Sequence, residues 1–138
     1  MFAVLPDLSW TGFALASVAS ILLAGVWFGA VIAQPYLVAL GREDGPAPET
    51  DLVRQAGPVL CLLPLVLTST WLLEVLDVTG TGDAVAFGLL VGLGYLTAMT
   101  FQIALNPNFP RPLYYGLLNA PFFVISSVMT ALIVTAVR

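Results

Sequence analysis

The sequence predicts an all-α integral membrane protein, with a single transmembrane domain over residues 1–138 that forms an antiparallel four-helix bundle. Apolar residues make up 59% of the chain and charged residues only 9%, whereas a typical soluble domain has about 25% charged residues. A short chain must expose much of its surface, and so few charges could not cover that surface in water. Four apolar stretches remain, each long enough for the roughly 20 helical residues that cross a bilayer.

The first predicted helix covers residues 8–34, inside an uncharged stretch that continues to Gly41. Trp10 and Tyr36 fall near its two ends, at the depth where aromatic rings prefer the head-group layer. Pro35 is expected to end or bend this helix, because proline has no backbone N–H to donate and its ring clashes with the preceding turn.

The one sizeable loop is predicted at residues 41–56, which hold six of the twelve charged residues together with glycine and proline. The second helix is predicted to follow at 57–76. Pro58 would then stand in its first turn, where proline is tolerated, and Pro64 inside the helix predicts a kink.

The third and fourth helices are predicted at 84–105 and 113–137, on either side of a proline-rich segment that cannot remain helical. A tight turn at 79–83 precedes the third helix, and Pro121 predicts a kink in the fourth. Because the second and third connections are short, we expect helices that are adjacent in sequence to pack against each other.

The arginines predict an orientation, since loops on the cytoplasmic side carry an excess of Lys and Arg. Arg42, Arg54 and Arg111 lie in the first and third loops, whereas Arg138 is expected on the opposite side. Both termini should therefore face away from the cytoplasm, in a membrane that we take to be a bacterial inner membrane.

Composition argues against several classes of function. Four arginines without any lysine give no basic patch for nucleic acid. With no histidine and one cysteine, Cys61, the chain lacks the usual ligands of zinc, haem and di-iron sites, so no metal or cofactor is expected. Serine has no histidine or lysine to activate it, and neither paired carboxylates nor a phosphate-binding loop occur. We therefore predict no catalytic residues and no enzymatic activity.

Two glycine pairs have the small-xxx-small spacing that lets helix backbones approach closely in lipid: Gly25 with Gly29, and Gly88 with Gly92. We interpret both pairs first as packing sites inside the bundle. The alternative is that one of these faces docks a second copy of the chain or a partner protein.

Glu74 is the one ionisable side chain clearly inside a predicted helix, which makes it a candidate intramembrane carboxylate. It lies near the end of the second helix, on the side where Arg138 is expected. We therefore favour a carboxylate that reaches the head groups or pairs with Arg138 over one that relays protons or ions.

Five polar residues fall at similar depths toward the other membrane face and form a candidate polar cluster. The simpler interpretation is hydrogen bonding between helices. The alternative is a pocket for a polar head group, such as that of a quinone or a lipid. The five residues are Gln34, Gln102, Asn106, Arg111 and Asn119.

Three stretches of the chain are similar to a known family. They are residues 25–29 (Gly-Val-Trp-Phe-Gly), then Asn106 and Arg111, and finally residues 118–120 (Leu-Asn-Ala). In these positions the chain resembles the small bacterial membrane proteins grouped as domain of unknown function 1761. The resemblance covers nearly the whole chain and implies the four-helix membrane plan, but it implies no activity.

The chain departs from that family pattern at two positions. In the pattern a proline tends to follow the aromatic stretch of the first helix, and a histidine often follows the Asn-Ala segment of the fourth. Here these places hold Ala30 and Phe123. Any role of that histidine in the family therefore does not transfer to this chain.

The sequence leaves two hypotheses for function. The first is a non-enzymatic accessory or scaffolding subunit, surrounded by membrane lipids, that packs with itself or with another membrane protein. The second is a carrier or binding protein for a small lipid-soluble molecule, such as a lipid or quinone. A ligand-sized cavity among the helices would favour the second hypothesis, and one copy per larger complex would favour the first.

Cysteine labelling tests the predicted orientation. In a variant that lacks Cys61, a cysteine at Ala47 should be shielded from a membrane-impermeant thiol reagent in intact cells, because the arginine-bearing loops face the cytoplasm. A cysteine at Thr81 should be labelled. Reversed labelling would invert the orientation and keep four spans, whereas labelling at both positions would contradict the four-span arrangement.

Overall fold

The computed structural model describes residues 8–45 and 51–138, and every regular element in these two ranges is helical. This confirms the all-α prediction. Two of the elements are π-helical segments, at Trp27–Val31 and Leu90–Thr97. The α-helices are, in chain order, α1 (Trp10–Val26), α2 (Ala33–Ala39), α3 (Leu52–Val75), α4 (Thr81–Leu89), α5 (Ala98–Ala104) and α6 (Pro112–Val137).

Four helical stretches are long and apolar enough to cross a membrane, and we call them the first to fourth spans. The spans have mean hydropathies of 1.8 to 2.1, yet at most 33% of the most apolar stretch of any span is buried inside the protein. Apolar side chains therefore cover much of the outside, as expected for helices that face lipid. The spans are Trp10–Val31, Gln55–Val75, Thr81–Ala104 and Pro112–Val137.

The second helix begins at Leu52, earlier than its predicted start at 57. Charged residues made this stretch resemble a loop, but a polar first turn that projects beyond the apolar core is compatible with a helix. Pro58 consequently lies inside α3, which corrects its predicted place in the first turn. The middle of the predicted loop, residues 46–50, lies outside the described residues.

The third helix also begins earlier than predicted, at Thr81. Gly80 is its N-cap, and Asp83 in the first turn places a carboxylate at the positive end of the helix dipole. The fourth helix begins with Pro112, whose missing N–H would have no partner within the helix at this position. Both starts are therefore explained by local chemistry at the helix ends.

Neither π-helical segment was predicted. A π-helical turn holds an extra residue, which rotates the following side chains about the axis by roughly 100° relative to an α-helix. The residue after the first of these segments is Ile32, where φ is −114° and ψ is 11°.

The prolines differ in their effects on the helices. Pro35 lies in the first turn of α2, so the first helix ends before that proline. The second and fourth helices continue through Pro64 and Pro121 respectively.

The fourth span lies at the centre of the bundle and packs against each of the other three. The first and second spans also pack against each other, but the second and third do not pack along their lengths. The expectation that all helices adjacent in sequence pack together is therefore wrong for this pair. A short connection holds two helices together at one end without fixing their separation elsewhere.

Two glycines permit the close approach of the third span to the fourth. A Cβ atom added at Gly92 would lie 2.8 Å from the Cα of Val124, and one added at Gly88 would lie 2.5 Å from the Cα of Val128. Carbon atoms do not approach this closely, so a residue larger than glycine would force the two backbones apart.

We expect Gly92→Ala to destabilise the bundle by about 1–3 kcal/mol, because the new methyl group must push the third and fourth spans apart. Gly94→Ala is the matched control, since Gly94 lies in the same π-helical segment and its added Cβ would meet nothing within 4 Å. Alanine is otherwise favoured over glycine in a helix by roughly 0.5–1 kcal/mol, so the control should melt no lower than the unmodified protein. Thermal unfolding in detergent, followed by circular dichroism, measures the difference. Equal melting temperatures for the two variants would contradict glycine-mediated packing.

Candidate functional site

The two glycine pairs have different surroundings. Gly88 and Gly92 are buried against the fourth span, as described above. Gly25 and Gly29 are exposed, and a Cβ added at either position would meet nothing within 4 Å. The structure therefore uses the second pair for packing inside the chain and leaves space beside the first.

A buried group of hydroxyls joins the first and fourth spans. The Ser20 and Thr130 hydroxyl oxygens lie 3.3 Å apart, and Ser126 donates a hydrogen bond to Ser20 over 3.4 Å. All three residues are buried. Sequence reasoning missed this group, although Ser126 and Thr130 have the i, i+4 spacing that places two side chains on one helix face. Such hydrogen bonds between helices are a packing feature of membrane bundles.

Glu74 and Arg138 form an ion pair between the ends of the second and fourth spans. A carboxylate oxygen of Glu74 lies 2.7 Å from Nη2 of Arg138, and the two side chains are 9% and 21% exposed respectively. Asp77 adds a second, longer contact of 3.4 Å to the same nitrogen. The geometry is that of the paired carboxylate favoured by the sequence.

The guanidinium of Arg138 also binds the backbone at the end of the second span. Its Nη1 atom donates to the carbonyl oxygens of Val78, at 2.8 Å, and Leu73, at 3.4 Å. The Leu73 carbonyl also accepts from the backbone N–H of Val78 at 3.0 Å, whereas the Val78 carbonyl lies beyond the helix end, where helical partners run out. Arg138 therefore acts as a cap on the second span as well as an ion-pair partner.

The structure does not bring the five residues of the candidate polar cluster into one group. Gln34 and Gln102 are exposed. In the described ranges, no hydrogen bond joins any two of the five. Residues at the same depth can face different directions around the bundle, and sequence spacing alone did not fix those directions.

The other three residues of that set bind their own surroundings. Asn106 accepts a hydrogen bond from the backbone N–H of Asn108 at 3.1 Å, within its own turn. Arg111 donates to the carbonyl oxygen of Val38 and to the carboxylate of Glu43, each at 3.0 Å. Arg111 thus ties the start of the fourth span to the end of α2. Asn119 alone lies deep in the bundle, where it is 3% exposed.

A group of aromatic rings lies where the first span, α2 and the fourth span meet. The Tyr36 hydroxyl donates a hydrogen bond to the Tyr115 hydroxyl at 3.3 Å, and the two ring centroids lie 5.5 Å apart. Phe28 packs edge-on against both Tyr36 and Phe122. Burial and the hydrogen bond to Tyr115 raise the pKa of Tyr36 above its usual range, so its phenol remains uncharged.

A cleft of about 610 Å³ opens beside Asn119, between the first, second and fourth spans. Gly25 and Phe28 line it from the first span, Pro58 lines it from the second, and Tyr36 of α2 also lines it. The volume falls within the range of about 300–1,000 Å³ that is usual for small-molecule sites. Space left free beside Gly25 contributes to this cleft.

An apolar extension of about 240 Å³ continues the cleft along the second and fourth spans. Phe28 and Pro58 line both parts, so the two volumes adjoin. Leu62 and Leu65 form one wall of the extension, and Phe123 belongs to the other. Together the two volumes form an elongated cleft with polar groups at one end only.

A separate groove of about 570 Å³ lies between the second and third spans, where these helices do not pack together. Leu65, Thr68 and Leu72 line it from the second span, while Val91 and Tyr95 line it from the third. This groove was not predicted, because its width follows from the divergence of two helices that were expected to touch.

The described residues contain no group of three or more histidine, cysteine, aspartate or glutamate side chains that could hold a metal ion. Cys61 is exposed in the apolar extension of the cleft. The chemistry that this arrangement offers is therefore hydrogen bonding and apolar contact.

Two substitutions separate the ion pair from the helix cap. We expect Glu74→Gln to reduce stability by about 1 kcal/mol or less, as for partly exposed ion pairs, because Arg138 keeps its backbone contacts. Arg138→Gln should cost about 2–3 kcal/mol, since it removes the hydrogen bonds of a charged group to the end of the second span. Thermal melting in detergent measures both. A Glu74→Gln variant that is less stable than Arg138→Gln would contradict the capping role.

The family model described as Protein of unknown function (DUF1761) matches residues 11–135. No curated protein and no solved structure gives a significant match to the chain. The matched residues include nearly all of the four spans, and the resemblance inferred from the sequence is confirmed. The chain belongs to the DUF1761 family, a family of unknown function.

Proposed function

We propose that the chain is a non-enzymatic accessory subunit of a membrane complex. In this complex a transmembrane helix of another membrane protein binds between the second and third spans of the chain. Its membrane is proposed to be a bacterial inner membrane, with both termini away from the cytoplasm, as the arginine distribution predicts. The observation that carries the accessory role is the environment of Tyr95, on the wall of the groove between the second and third spans.

Tyr95 lies near the middle of the third span, Thr81–Ala104, and is 75% exposed. Tyrosine in membrane proteins is usually found at the interfaces, where its hydroxyl reaches water or head groups. In the described part of the chain, no group forms a hydrogen bond with the Tyr95 hydroxyl. Lipid tails cannot supply one, so a partner helix with a hydrogen-bond acceptor would satisfy a group that lipid leaves unpaired.

The shape of the groove also suits a helix. Its walls are formed by two helices that do not pack together, and its lining is largely apolar, with Thr68 and Ser69 as further polar residues. A helix laid between two others gains van der Waals contacts along its length, which is the main attraction between helices in lipid. The position of Tyr95 within the π-helical segment Leu90–Thr97 contributes to its direction.

Photo-crosslinking in native membranes tests this proposal. A photoreactive amino acid at Thr68 or at Tyr95 should give an adduct of the same discrete mass, because both positions line one groove. Leu93 is the matched control, since it is exposed on the same helix but does not line the groove. It should give lipid adducts only. Lipid adducts alone from all three positions would contradict the proposal.

The mass of the crosslinked product identifies the class of partner. A product of twice the chain mass would mean that a second copy fills the groove, and any other discrete mass would mean a different subunit. Tyr95→Phe, which removes only the hydroxyl, should lower the yield from Thr68 by a few fold, as expected for about 0.6–1 kcal/mol from one interhelical hydrogen bond. An unchanged yield would mean that the Tyr95 hydroxyl does not contribute to binding of the partner helix.

The alternative function, a carrier or binding protein for a lipid-soluble molecule, is supported by the cleft beside Asn119. Its volume of about 610 Å³ meets the criterion of a ligand-sized cavity among the helices. The cleft and the groove have different linings, apart from Leu65, so one protein can have both a partner and a ligand.

A further inference from the structure

The cleft beside Asn119 has polar groups at one end and apolar walls along the rest. Asn119 and Tyr36 are at the polar end, which lies toward the first and third loops. Leu62, Leu65 and Phe123 line the other end. A ligand that fills both parts must therefore combine one small polar group with an extended apolar body.

Asn119 presents a hydrogen-bond acceptor to this cleft. Its amide nitrogen donates to the backbone carbonyl oxygen of Tyr115 at 2.7 Å, which fixes the orientation of the amide group. The amide oxygen of this side chain has no hydrogen-bond partner among the described residues, although the residue is only 3% exposed. Because Asn119 lines the cleft, this oxygen is suited to a donor from a ligand.

Tyr36 presents a second acceptor. Because its proton is donated to the Tyr115 hydroxyl, the phenol oxygen can offer only its lone pairs to a molecule in the cleft. Among the side chains that the structure describes, no charged one lines either part of the cleft. An ionised head group would lose its hydration here without gaining an opposite charge, which is costly.

We propose that this cleft binds an uncharged amphiphile with an apolar chain and a hydroxyl head that donates a hydrogen bond to Asn119. The site is additional to the accessory role and does not depend on it. A long-chain alcohol or a monoacylglycerol has this chemistry. A quinone has no donor for the Asn119 amide oxygen and could only accept from the second amide N–H, so it would leave that oxygen unpaired.

The donor requirement can be tested with a pair of probes that differ in one proton. The first probe is a long-chain fatty alcohol with a diazirine in the chain, and the second is its methyl ether. Each is added at the same bilayer concentration to the full chain in phosphatidylcholine nanodiscs, and photolabelled peptides are identified by mass spectrometry. We expect the alcohol to label peptides of the second and fourth spans about three- to tenfold more than the ether, the range for one hydrogen bond in a membrane.

Two glycines provide matched variants that locate the binding site. Gly25 lines the cleft and Gly29 does not, although an added Cβ at either position would meet nothing within 4 Å. Gly25→Leu should fill the cleft and reduce labelling by the alcohol at least about fivefold, since the ligand and the new side chain compete for one space. Gly29→Leu should leave labelling unchanged. Both variants should keep the melting temperature of the unmodified protein.

Substitution of Asn119 tests the polar end. Asn119→Leu keeps a similar volume and should reduce the preference for the alcohol over the ether to about one. If that variant does not fold, Asn119→Ala, which adds no bulk, should remove the preference in its place. In native membranes, photo-crosslinking from Thr68 to a partner helix should give the same yield in every variant. That result would separate this site from the groove.

Three results would overturn the proposal. The first is equal labelling by the alcohol and the ether, which would remove the donor requirement. The second is labelling that Gly25→Leu does not reduce, which would place the bound probe outside the cleft. The third is a preference for the alcohol that persists in a folded Asn119→Leu or Asn119→Ala variant, since the hydrogen bond would then be made elsewhere.

Discussion

The close backbone contact between the third and fourth spans is the constraint on which the bundle depends. Gly88 and Gly92 let the two backbones approach to a distance that no larger residue would allow. In lipid, apolar side chains gain little by leaving their surroundings, so close packing must supply the attraction between helices. The third span therefore follows the fourth rather than the second, and the groove beside Tyr95 results from that preference.

The fourth span is tied to its neighbours by a different interaction at each depth. Arg111, in front of its first residue, binds the end of α2, and Arg138 behind its last helical residue caps the second span. Between them, Ser126 and Thr130 meet Ser20 of the first span. These contacts hold the first, second and fourth spans around a cleft that is not filled by side chains.

The fold could be predicted because it is specified by composition and by the length of apolar stretches. The four helices and the ends of the third and fourth follow from those properties, whereas the family was inferred from a resemblance in residues 25–29, Asn106, Arg111 and 118–120. The π-helical segments could not be foreseen, since no proline marks Trp27–Val31 or Leu90–Thr97. Helix starts were also less certain, because the polar turn after Leu52 has a composition that suits either a loop or a helix.

The sites were predicted less well than the helices, for a geometric reason. Sequence position gives the depth of a residue in the membrane, but the direction of its side chain also depends on which helices are neighbours. Glu74 could be assigned a partner because both it and Arg138 lie at helix ends, where few groups compete. Gln34, Gln102 and Asn119 have similar depths and different surroundings, which depth alone could not distinguish.

The central position of the fourth span has a consequence for the order in which the protein assembles during synthesis. The third span packs mainly against the fourth, which the ribosome makes after it. Until the fourth span is made, Gly88 and Gly92 lack the backbone that they approach in the bundle. The first and second spans, in contrast, pack against each other. The third span can therefore reach its native arrangement only after the fourth span has been made.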